Sequence, residues 1–177
     1  MDELSLHTLG QHLQTLRLAR GWSLSQLAAA AGIAKSNLSR LEQGNGNPTL
    51  DTIWRLAVQL NVPFGTLVAP IYEVPLGENG VQVRLLDQGK EDPHVDAYWM
   101  RCAPNTTRHA EAHTPGAQES LTIISGQLEA GPVDAPATLA AGDTLTFAAD
   151  QPHLYRTHEA WVTLLVTIVY ARQGTPS

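Results

Sequence analysis

Histidine and glutamate side chains recur at short intervals in the stretch HAEAHTPGAQESLTIISG, residues 109–126. His109, Glu111 and His113 fall on every second residue, and Glu119 follows them. Because residues two apart on a β-strand point to the same face, this spacing predicts three neighbouring side chains. Imidazole nitrogens and carboxylate oxygens are ligands for divalent transition metals. The stretch predicts a metal site, a pocket that binds an organic ligand through the same groups, or a solvated sheet face.

A second set of polar side chains lies in the segment IAKSNLSRLEQG, which follows Gly32. If this segment is a helix, Ile33, Leu38 and Leu41 can face the protein interior. The polar residues then form the outer face, with Asn37 at its edge: Lys35, Ser36, Asn37, Ser39, Arg40 and Gln43. Lysine and arginine can donate to guanine edges or phosphates, and asparagine can bridge an adenine edge. The segment predicts a helix that reads DNA, and a solvated helix face is the alternative.

The elements that position this outer face are predicted helices in the first seventy residues. Leucines recur at three- and four-residue intervals between residues 6 and 16, which is the period of a helix that buries one face. Ser23 and Gln26 have the spacing of a capping box, which predicts the start of a second helix. Thr49 is the predicted cap of a fourth helix, and Pro63 suits the first turn of a fifth. This part of the chain is predicted to be a five-helix domain.

The histidines and glutamates lie in a region whose apolar period is two. Short segments with this period are separated by Gly, Pro and Asp: VQVRLL, VDAYWMRC, SLTIISGQLEAG, TLTFAA, HLYRTH and WVTLLVTIVY. Short strands at such intervals are typical of an antiparallel sandwich or small barrel. The last hundred residues are therefore predicted to be all-β.

The two regions also differ in charge. Residues 1–70 carry five Lys and Arg against four acidic residues, a net charge of +1, whereas residues 71–177 carry six against thirteen, a net charge of −7. The stretch APIYEVPLGENG, with two prolines and two glycines, lies between them. We predict a helical domain over residues 1–69, a linker over 70–80 and a β domain over 81–172. A +1 domain binds DNA weakly as a single copy, which predicts a homodimer.

Several classes of protein do not fit the composition. The longest nearly apolar stretch, AWVTLLVTIVY at 160–170, is too short to span a bilayer. The first residues lack a basic segment followed by an apolar one, so no signal peptide is predicted. Cys102 is the single cysteine, which excludes an internal disulfide and a zinc-finger cluster. These features predict a cytoplasmic protein that does not bind membranes.

The segment SLSQLAAAAGIAKSNLSRLEQGNGNPTLDTIWRLAVQL resembles the helix-turn-helix domain of the phage-repressor and xenobiotic-response-element (XRE) type. The matching parts are small Ala28, the turn at Gly32, the sequence Leu41-Glu42-x-Gly44 and the sequence Pro48-Thr49-Leu50. The resemblance implies a lambda-repressor-like fold that binds a double-stranded DNA operator through its third helix. Many relatives have a phosphate-binding glutamine where this chain has Leu24. Gln26, two positions later, is the substitute expected to contact DNA.

Two stretches of the β region, HTPGAQESLTIISGQLEAG and LAAGDTLTFAADQPHLY, resemble the two motifs of the cupin barrel, a double-stranded β-helix or jelly roll. His113, Glu119 and Gly126 match the first motif, and Gly142-Asp143 and Pro152-His153 match the second. The resemblance implies that His113, Glu119 and His153 hold a divalent metal such as Zn, Ni or Fe.

Two departures from the cupin pattern concern the first motif. Glu111 stands where the family has its first metal-binding histidine, and it is the expected fourth, carboxylate ligand. Five residues separate His113 from Glu119, where metal-binding members commonly have three or four. Tyr155 shares a strand face with His153, and His109 lies one strand step beyond Glu111. Both are expected to line an effector pocket.

A DNA-reading domain joined to a ligand-binding barrel predicts a transcriptional regulator that responds to a small molecule or a metal. Repressor-type helix-turn-helix domains joined to a cupin form a known group of bacterial regulators. The phrases SLSQLA, NPTLDTIW, LNVPF and FAADQPHLYR resemble those of regulators of sulfur-source utilisation. The alternative is a cupin metalloenzyme, a dioxygenase or isomerase that carries a DNA-binding domain. A third possibility is a DNA-binding protein whose cupin serves only for dimerisation.

Overall fold

A computed structural model describes residues 3–171 and separates the chain into two compact units. The first unit ends at Leu76 and the second begins at Gly77, so the boundary falls within the predicted linker, residues 70–80. Residues 1, 2 and 172, which the predicted domain ranges include, lie outside the described residues. Within residues 3–171, no helix has the length and apolar character needed to cross a membrane.

The first unit confirms the predicted five-helix architecture. Its helices, followed by a short 3-10 turn at Ala69–Ile71, are α1 (Glu3–Ala19), α2 (Leu24–Ala30), α3 (Lys35–Glu42), α4 (Leu50–Leu60) and α5 (Phe64–Val68). Gly32, between α2 and α3, has a φ of +63°, which a residue with a side chain rarely adopts. This turn sets the angle between the two helices of the helix-turn-helix pair.

Local hydrogen bonds fix the starts of two helices as the sequence predicts. At α2, the Gln26 amide donates to Ser23 Oγ at 3.2 Å, and the Ser23 amide donates to Gln26 Oε1 at 2.8 Å. At α4, the Thr52 amide donates to Thr49 Oγ1 at 3.1 Å. These caps satisfy amide groups that have no partner within the helix. The Gln26 side chain is thus already engaged at the end of its own helix.

The core of the helical unit includes one charged pair that the leucine pattern does not reveal. Leu9 and Leu13 are buried, but Leu6 and Leu16 are only half-buried. Arg17, one helical turn after Leu13, is buried instead.

Arg17 joins the end of α1 to the end of α3. Its Nε and Nη2 donate to the two carboxylate oxygens of Glu42 at 2.6 and 2.7 Å, and its Nη1 donates to the Trp22 carbonyl at 2.7 Å. The hydrogen bond to Glu42 raises the pKa of the guanidinium. Such a two-pronged contact fixes the geometry of both helices and leaves the buried charges paired.

The second unit is all-β, as predicted, and contains nine strands within the described residues. They are β1 (Val81–Gln88), β2 (Val95–Cys102), β3 (Thr107–Ala110), β4 (Gln118–Ser125), β5 (Gln127–Pro132), β6 (Ala137–Ala140), β7 (Thr144–Ala148), β8 (His153–Thr157) and β9 (Val162–Val169). Strands β3 and β6 are absent from the predicted segments. Each has only four residues, and charged or small residues interrupt the apolar alternation.

The strands form two antiparallel sheets with a common buried core. One sheet has the order β1-β2-β9-β4-β7, and the other has the order β3-β8-β5-β6. Alternate side chains of β2, β4 and β9 are buried, as the period of two predicts. Leu121, Ile123, Leu128 and Leu164 are almost completely buried and form part of this core. The inward faces of the two sheets therefore enclose the side chains that meet at the candidate site.

Candidate functional site

Three of the predicted ligands come from different positions of the barrel and meet inside it. Glu119 lies on β4, where it is paired with Phe147 of β7 and Ile168 of β9. His153 is the first residue of β8 and is paired with Ala110 of β3. His113 follows β3, and its amide donates to the Ala149 carbonyl at 2.9 Å, which anchors this part of the loop. Both sheets and one loop are thus needed to bring the three side chains together.

The distances within the group are those of a potential metal site. His113 Nε2 lies 3.1 Å from Glu119 Oε2, and His153 Nε2 lies 3.6 Å from the same oxygen. One ligand atom from each residue lies within 4.8 Å of the other two. A metal with bonds of about 2.0–2.2 Å separates neighbouring ligand atoms by about 3.0–3.5 Å. The spacing around Glu119 Oε2 is close to this range.

His153 presents an unprotonated nitrogen to the group. Its Nδ1 lies 2.9 Å from the Gln151 carbonyl oxygen, and because that oxygen can only accept, Nδ1 must carry the proton. Burial lowers the pKa of His153 more than the Glu119 carboxylate raises it, so the ring is neutral near pH 7. Nε2 therefore carries a lone pair, is buried, and has no hydrogen-bond partner among the described residues.

This arrangement fits a bound cation. A neutral imidazole lone pair and a carboxylate oxygen face each other across 3.6 Å, and neither group can donate to the other. Metal-bound histidines characteristically donate their second ring nitrogen to a carbonyl or carboxylate, as His153 does to Gln151. The buried acceptor atoms and the fixed tautomer are both features that a metal ion would satisfy.

Glu119 is held by partners on both of its oxygens. Tyr155 donates its hydroxyl to Oε1, while Oε2 faces the two histidines. Burial raises the pKa of Glu119, but the hydrogen bond and charge of His113, together with His153 and Tyr155, outweigh it and leave this pKa below its ordinary value. Burial, and then Glu119, raise the pKa of Tyr155 well above its ordinary value. Glu119 is therefore an ionised carboxylate, and Tyr155 is a protonated donor.

Apolar and aromatic groups surround the three side chains. The rings of His113 and His153 are almost perpendicular, at 84°, with centroids 4.9 Å apart. The Phe147 ring lies 5.3 Å from the His153 ring, and His113, Glu119 and His153 are each at most 5% exposed. Electrostatic interactions are stronger in such a water-poor environment than at the surface. The Glu119 carboxylate therefore interacts more strongly with a neighbouring positive charge here than it would at the surface.

The structure does not bring Glu111 and His109 to this group. Strand β3 ends at Ala110, so the two-residue alternation on which their placement depended does not continue to His113. Glu111 follows the end of the strand and is exposed, and His109 is exposed on the strand face opposite to Ala110. The group of His113, Glu119 and His153 therefore contains neither the expected fourth ligand nor the outermost histidine. Tyr155, in contrast, is buried beside Glu119.

The second candidate surface is the outer face of α3. Lys35, Ser36, Asn37 and Arg40 are exposed and Ser39 is half-buried, as expected for a helix that can enter a DNA groove. Leu38 is fully buried and holds the helix against the domain core.

Two side chains near the end of α3 have partners in the free protein. Arg40 Nη2 donates to the Asn45 carbonyl at 3.2 Å, and Gln43 Nε2 donates to Ser39 Oγ at 3.3 Å. Asn37 and Arg40 line a groove together with Pro48, Thr49 and Thr52 at the start of α4. The exposed polar face of α3 therefore continues into this groove.

Sequence reasoning missed three contacts in or near these sites. The Gln151 carbonyl that fixes His153 is a backbone group, and no residue type signals it. The Tyr155–Glu119 hydrogen bond was missed as well, although the period of two places Tyr155 on the correct face. The ion pair of Arg17 with Glu42 had a usable signal, because residue 17 continues the helical spacing of Leu9 and Leu13.

Comparisons with known proteins agree with both units. A family model described as helix-turn-helix matches residues 13–67. The chain is 34% identical to the HTH-type transcriptional regulator SutR of Escherichia coli over 157 residues, which cover 84% of this chain and 86% of SutR.

Two crystal structures extend the comparison to the fold. An HTH_3 family transcriptional regulator from Vibrio cholerae has the same overall fold, with a TM-score of 0.87 and 22% identity over 97% of this chain and all of that chain. The Cupin_2 domain of an XRE family transcriptional regulator from Enterobacter cloacae is 29% identical, with a TM-score of 0.50, over 52% of this chain and 99% of that domain. The predicted cupin barrel is thus confirmed. The chain belongs to the family of HTH-type transcriptional regulators that includes SutR, with an XRE-type helix-turn-helix domain followed by a cupin barrel.

Proposed function

We propose that the cupin barrel of this regulator senses a divalent metal ion, or a small molecule held by that metal, at His113, Glu119 and His153. The observation that carries the proposal is the lone pair of His153 Nε2, which faces the Glu119 carboxylate in a buried site. Zn, Ni and Fe ions all accept two imidazoles and one carboxylate. When bound, such an ion would supply a Lewis-acidic centre with open positions for an effector group.

In this proposal, the helical unit binds DNA, and sensing by the barrel changes its affinity for the operator. Lys35, Asn37 and Arg40 are proposed to contact bases or phosphates of a double-stranded operator, with Ser36 and Ser39 allowing close approach. Gln26 is a weaker candidate for a phosphate contact, because its side-chain oxygen already accepts a hydrogen bond from the Ser23 amide. The effector would change operator affinity to the extent that it binds the two states of the protein differently.

DNA binding leads to two further parts of the proposal, which concern the oligomeric state and the location of the dimer contact. A regulator with a weakly charged reading domain is expected to act as a homodimer on two half-sites about one helical turn apart, in the cytoplasm. We place the dimer contact at least partly in the barrel. Sedimentation of the full chain at micromolar concentration should give twice the chain mass, and a monomer would contradict this part.

Regulation is a better account than catalysis for this barrel. The first cupin motif has Glu111 in place of a histidine, and Glu111 is exposed, so the described site offers three protein ligands and leaves coordination positions open for an effector. SutR, which is 34% identical over 84% of this chain and thus over both units, is a transcriptional regulator. The most specific part of the proposal is that the protein controls sulfur-source metabolism. It is supported by the sequence segments that resemble those of regulators of sulfur-source utilisation: SLSQLA, NPTLDTIW, LNVPF and FAADQPHLYR.

Metal content is the direct test of the site. The full chain, purified without added metal, should contain about one divalent ion per barrel by elemental analysis. His153→Ala removes a ligand and should abolish this content, since losing a direct ligand costs more than the about 10–100-fold typical of an outer contact. His109→Ala is the matched control, because His109 is exposed and outside the group. Metal-free wild-type protein that also fails to bind added Zn²⁺, Ni²⁺ or Fe²⁺ would refute the proposal.

A further inference from the structure

Tyr155 contacts the candidate site without being one of its three ligands. Its side chain lies on the inward face of β8, two residues after His153, and is 5% exposed. The Tyr155 hydroxyl donates to Glu119 Oε1, and Oε2 of the same carboxylate lies 3.1 Å from His113 Nε2 and 3.6 Å from His153 Nε2. The two oxygens of Glu119 thus have different partners.

We propose that Tyr155 is a positioning residue that reserves Glu119 Oε1 for itself, so that Glu119 offers a metal only one oxygen, Oε2. The inference rests on the proposed metal site and adds to it the way in which the site keeps coordination positions open. A carboxylate can bind a metal through one or both oxygens, and a second protein oxygen would occupy a position that an effector or water could otherwise use.

The surroundings of Glu119 explain why one hydroxyl can have this effect. Glu119 is 1% exposed, so water does not compete for Oε1 as it would at the surface. The ring of Tyr155 lies 5.7 Å from that of His153, at 74°, so the phenol packs against a second ligand while its hydroxyl contacts Glu119. Because Tyr155 and His153 lie on the same face of one strand, the strand places a ligand and a positioning group together.

The test uses Co²⁺ as a probe of coordination number in the full chain. The visible absorption of bound Co²⁺ weakens as the number of ligands rises from four to five or six. Tyr155→Phe removes the hydroxyl and keeps the ring, so Glu119 Oε1 is free to bind the ion as a second oxygen. We expect weaker visible bands, because the number of ligands rises, and a change in Co²⁺ affinity of about 10–100-fold, as is typical when an outer partner of a ligand is removed.

Tyr98→Phe is the matched control within the same barrel. The Tyr98 hydroxyl also donates to a buried carboxylate, Asp96 Oδ2, at 2.8 Å, but this carboxylate is outside the group of three. The variant therefore reports the general cost of deleting one buried tyrosine hydroxyl. Its Co²⁺ spectrum and affinity should match those of the wild type.

The outcomes separate this inference from the proposed function. If wild-type protein binds no Co²⁺, the metal site itself is wrong, and the positioning role falls with it. If the wild type binds Co²⁺ and Tyr155→Phe has the same spectrum and affinity, or if both tyrosine variants change equally, only the positioning role is overturned.

A measurement on the unaltered chain gives an independent check that no folding defect can obscure. The infrared difference spectrum on adding Zn²⁺ reports the separation of the two carboxylate stretching bands, which is wide for one-oxygen binding and narrow for two-oxygen binding. The wide separation is expected, and the narrow one would overturn the inference.

Discussion

The helical unit and the barrel each bury a charged cluster, and the two clusters are completed in different ways. In the helical unit, three nitrogen atoms of Arg17 donate to Glu42 and to the Trp22 carbonyl. In the barrel, His153 Nε2 and Glu119 Oε2 face each other as two acceptors. The first cluster is complete within the protein and suits a structural role. The second leaves the lone pair of His153 Nε2 without a donor among the described residues, which suits a binding site.

The largest expected effect is on the stability of the helical unit. Arg17→Met leaves the Glu42 carboxylate buried without its guanidinium, and we expect a loss of about 3–5 kcal/mol in the free energy of unfolding, measured by urea denaturation. The double variant Arg17→Met with Glu42→Leu removes both charges and should recover much of this loss. A loss below about 1 kcal/mol in the single variant would show that the pair is not a structural cluster.

The barrel cluster should be less sensitive to the removal of its charge. In metal-free protein, Glu119→Gln should lower the free energy of unfolding by less than Arg17→Met does, because the amide can donate to His153 Nε2 and still accept from Tyr155, while it loses the hydrogen bond from His113. Metal at 100 times its Kd should stabilise the wild type by about 2.7 kcal/mol and should not stabilise the variant. Calorimetry with and without Zn²⁺ measures both. Equal stabilisation of the two proteins by Zn²⁺ would place the ion elsewhere.

A smaller effect is expected on the DNA-reading face. Arg40→Ala should weaken binding to the best selected DNA sequence by about 1–3 kcal/mol and relax the preference at one position in each half-site. Arg20→Ala is the matched control, because Arg20 is also exposed and also donates to a backbone carbonyl, that of Asn61 at 3.1 Å. Arg20→Ala removes the same positive charge as Arg40→Ala, but at a position outside α3. If the two variants lose equal affinity, Arg40 contributes only through its charge.

The smallest effect concerns a third buried group, the thiol of Cys102. Burial raises the pKa of Cys102 to about 12, although Arg108 lowers it, and the residue is 1% exposed. At pH 8 only about one thiol in ten thousand is then ionised. Iodoacetamide should leave the native protein unmodified over hours and should alkylate Cys102 in urea, as mass spectrometry would show. Rapid alkylation of the native chain would contradict the burial of this thiol.

Much of the fold could be predicted from the sequence because local patterns specify it. The capping box at Ser23 and Gln26 and the cap at Thr49 form as their spacing predicts. The alternation along β2 and β9 likewise predicts which side chains are buried. Strands β3 and β6 could not be predicted in this way, because four residues with charged or small side chains carry too little periodic signal.

The candidate site was predictable only in part, and the reason is geometric. His113, Glu119 and His153 meet as the cupin motifs imply. Glu111 was expected beside His113 on the assumption that one strand continues through both, but β3 ends at Ala110. The tautomer of His153 depends on the backbone carbonyl of Gln151. Because every residue has such a carbonyl, the sequence does not indicate this contact. Contacts that depend on where a strand ends therefore required the three-dimensional structure.

The central claim is that metal binding in the barrel changes DNA binding by the helical unit. The most direct measurement is the affinity of the full chain for its best selected DNA sequence, with the protein either metal-free or loaded with Zn²⁺, Ni²⁺ or Fe²⁺. One of these ions should change the affinity of the wild type by about 5–150-fold, the usual range of coupling between two sites, and should leave that of His153→Ala unchanged. Equal affinities of the metal-free and metal-loaded wild-type protein for all three ions would contradict the account.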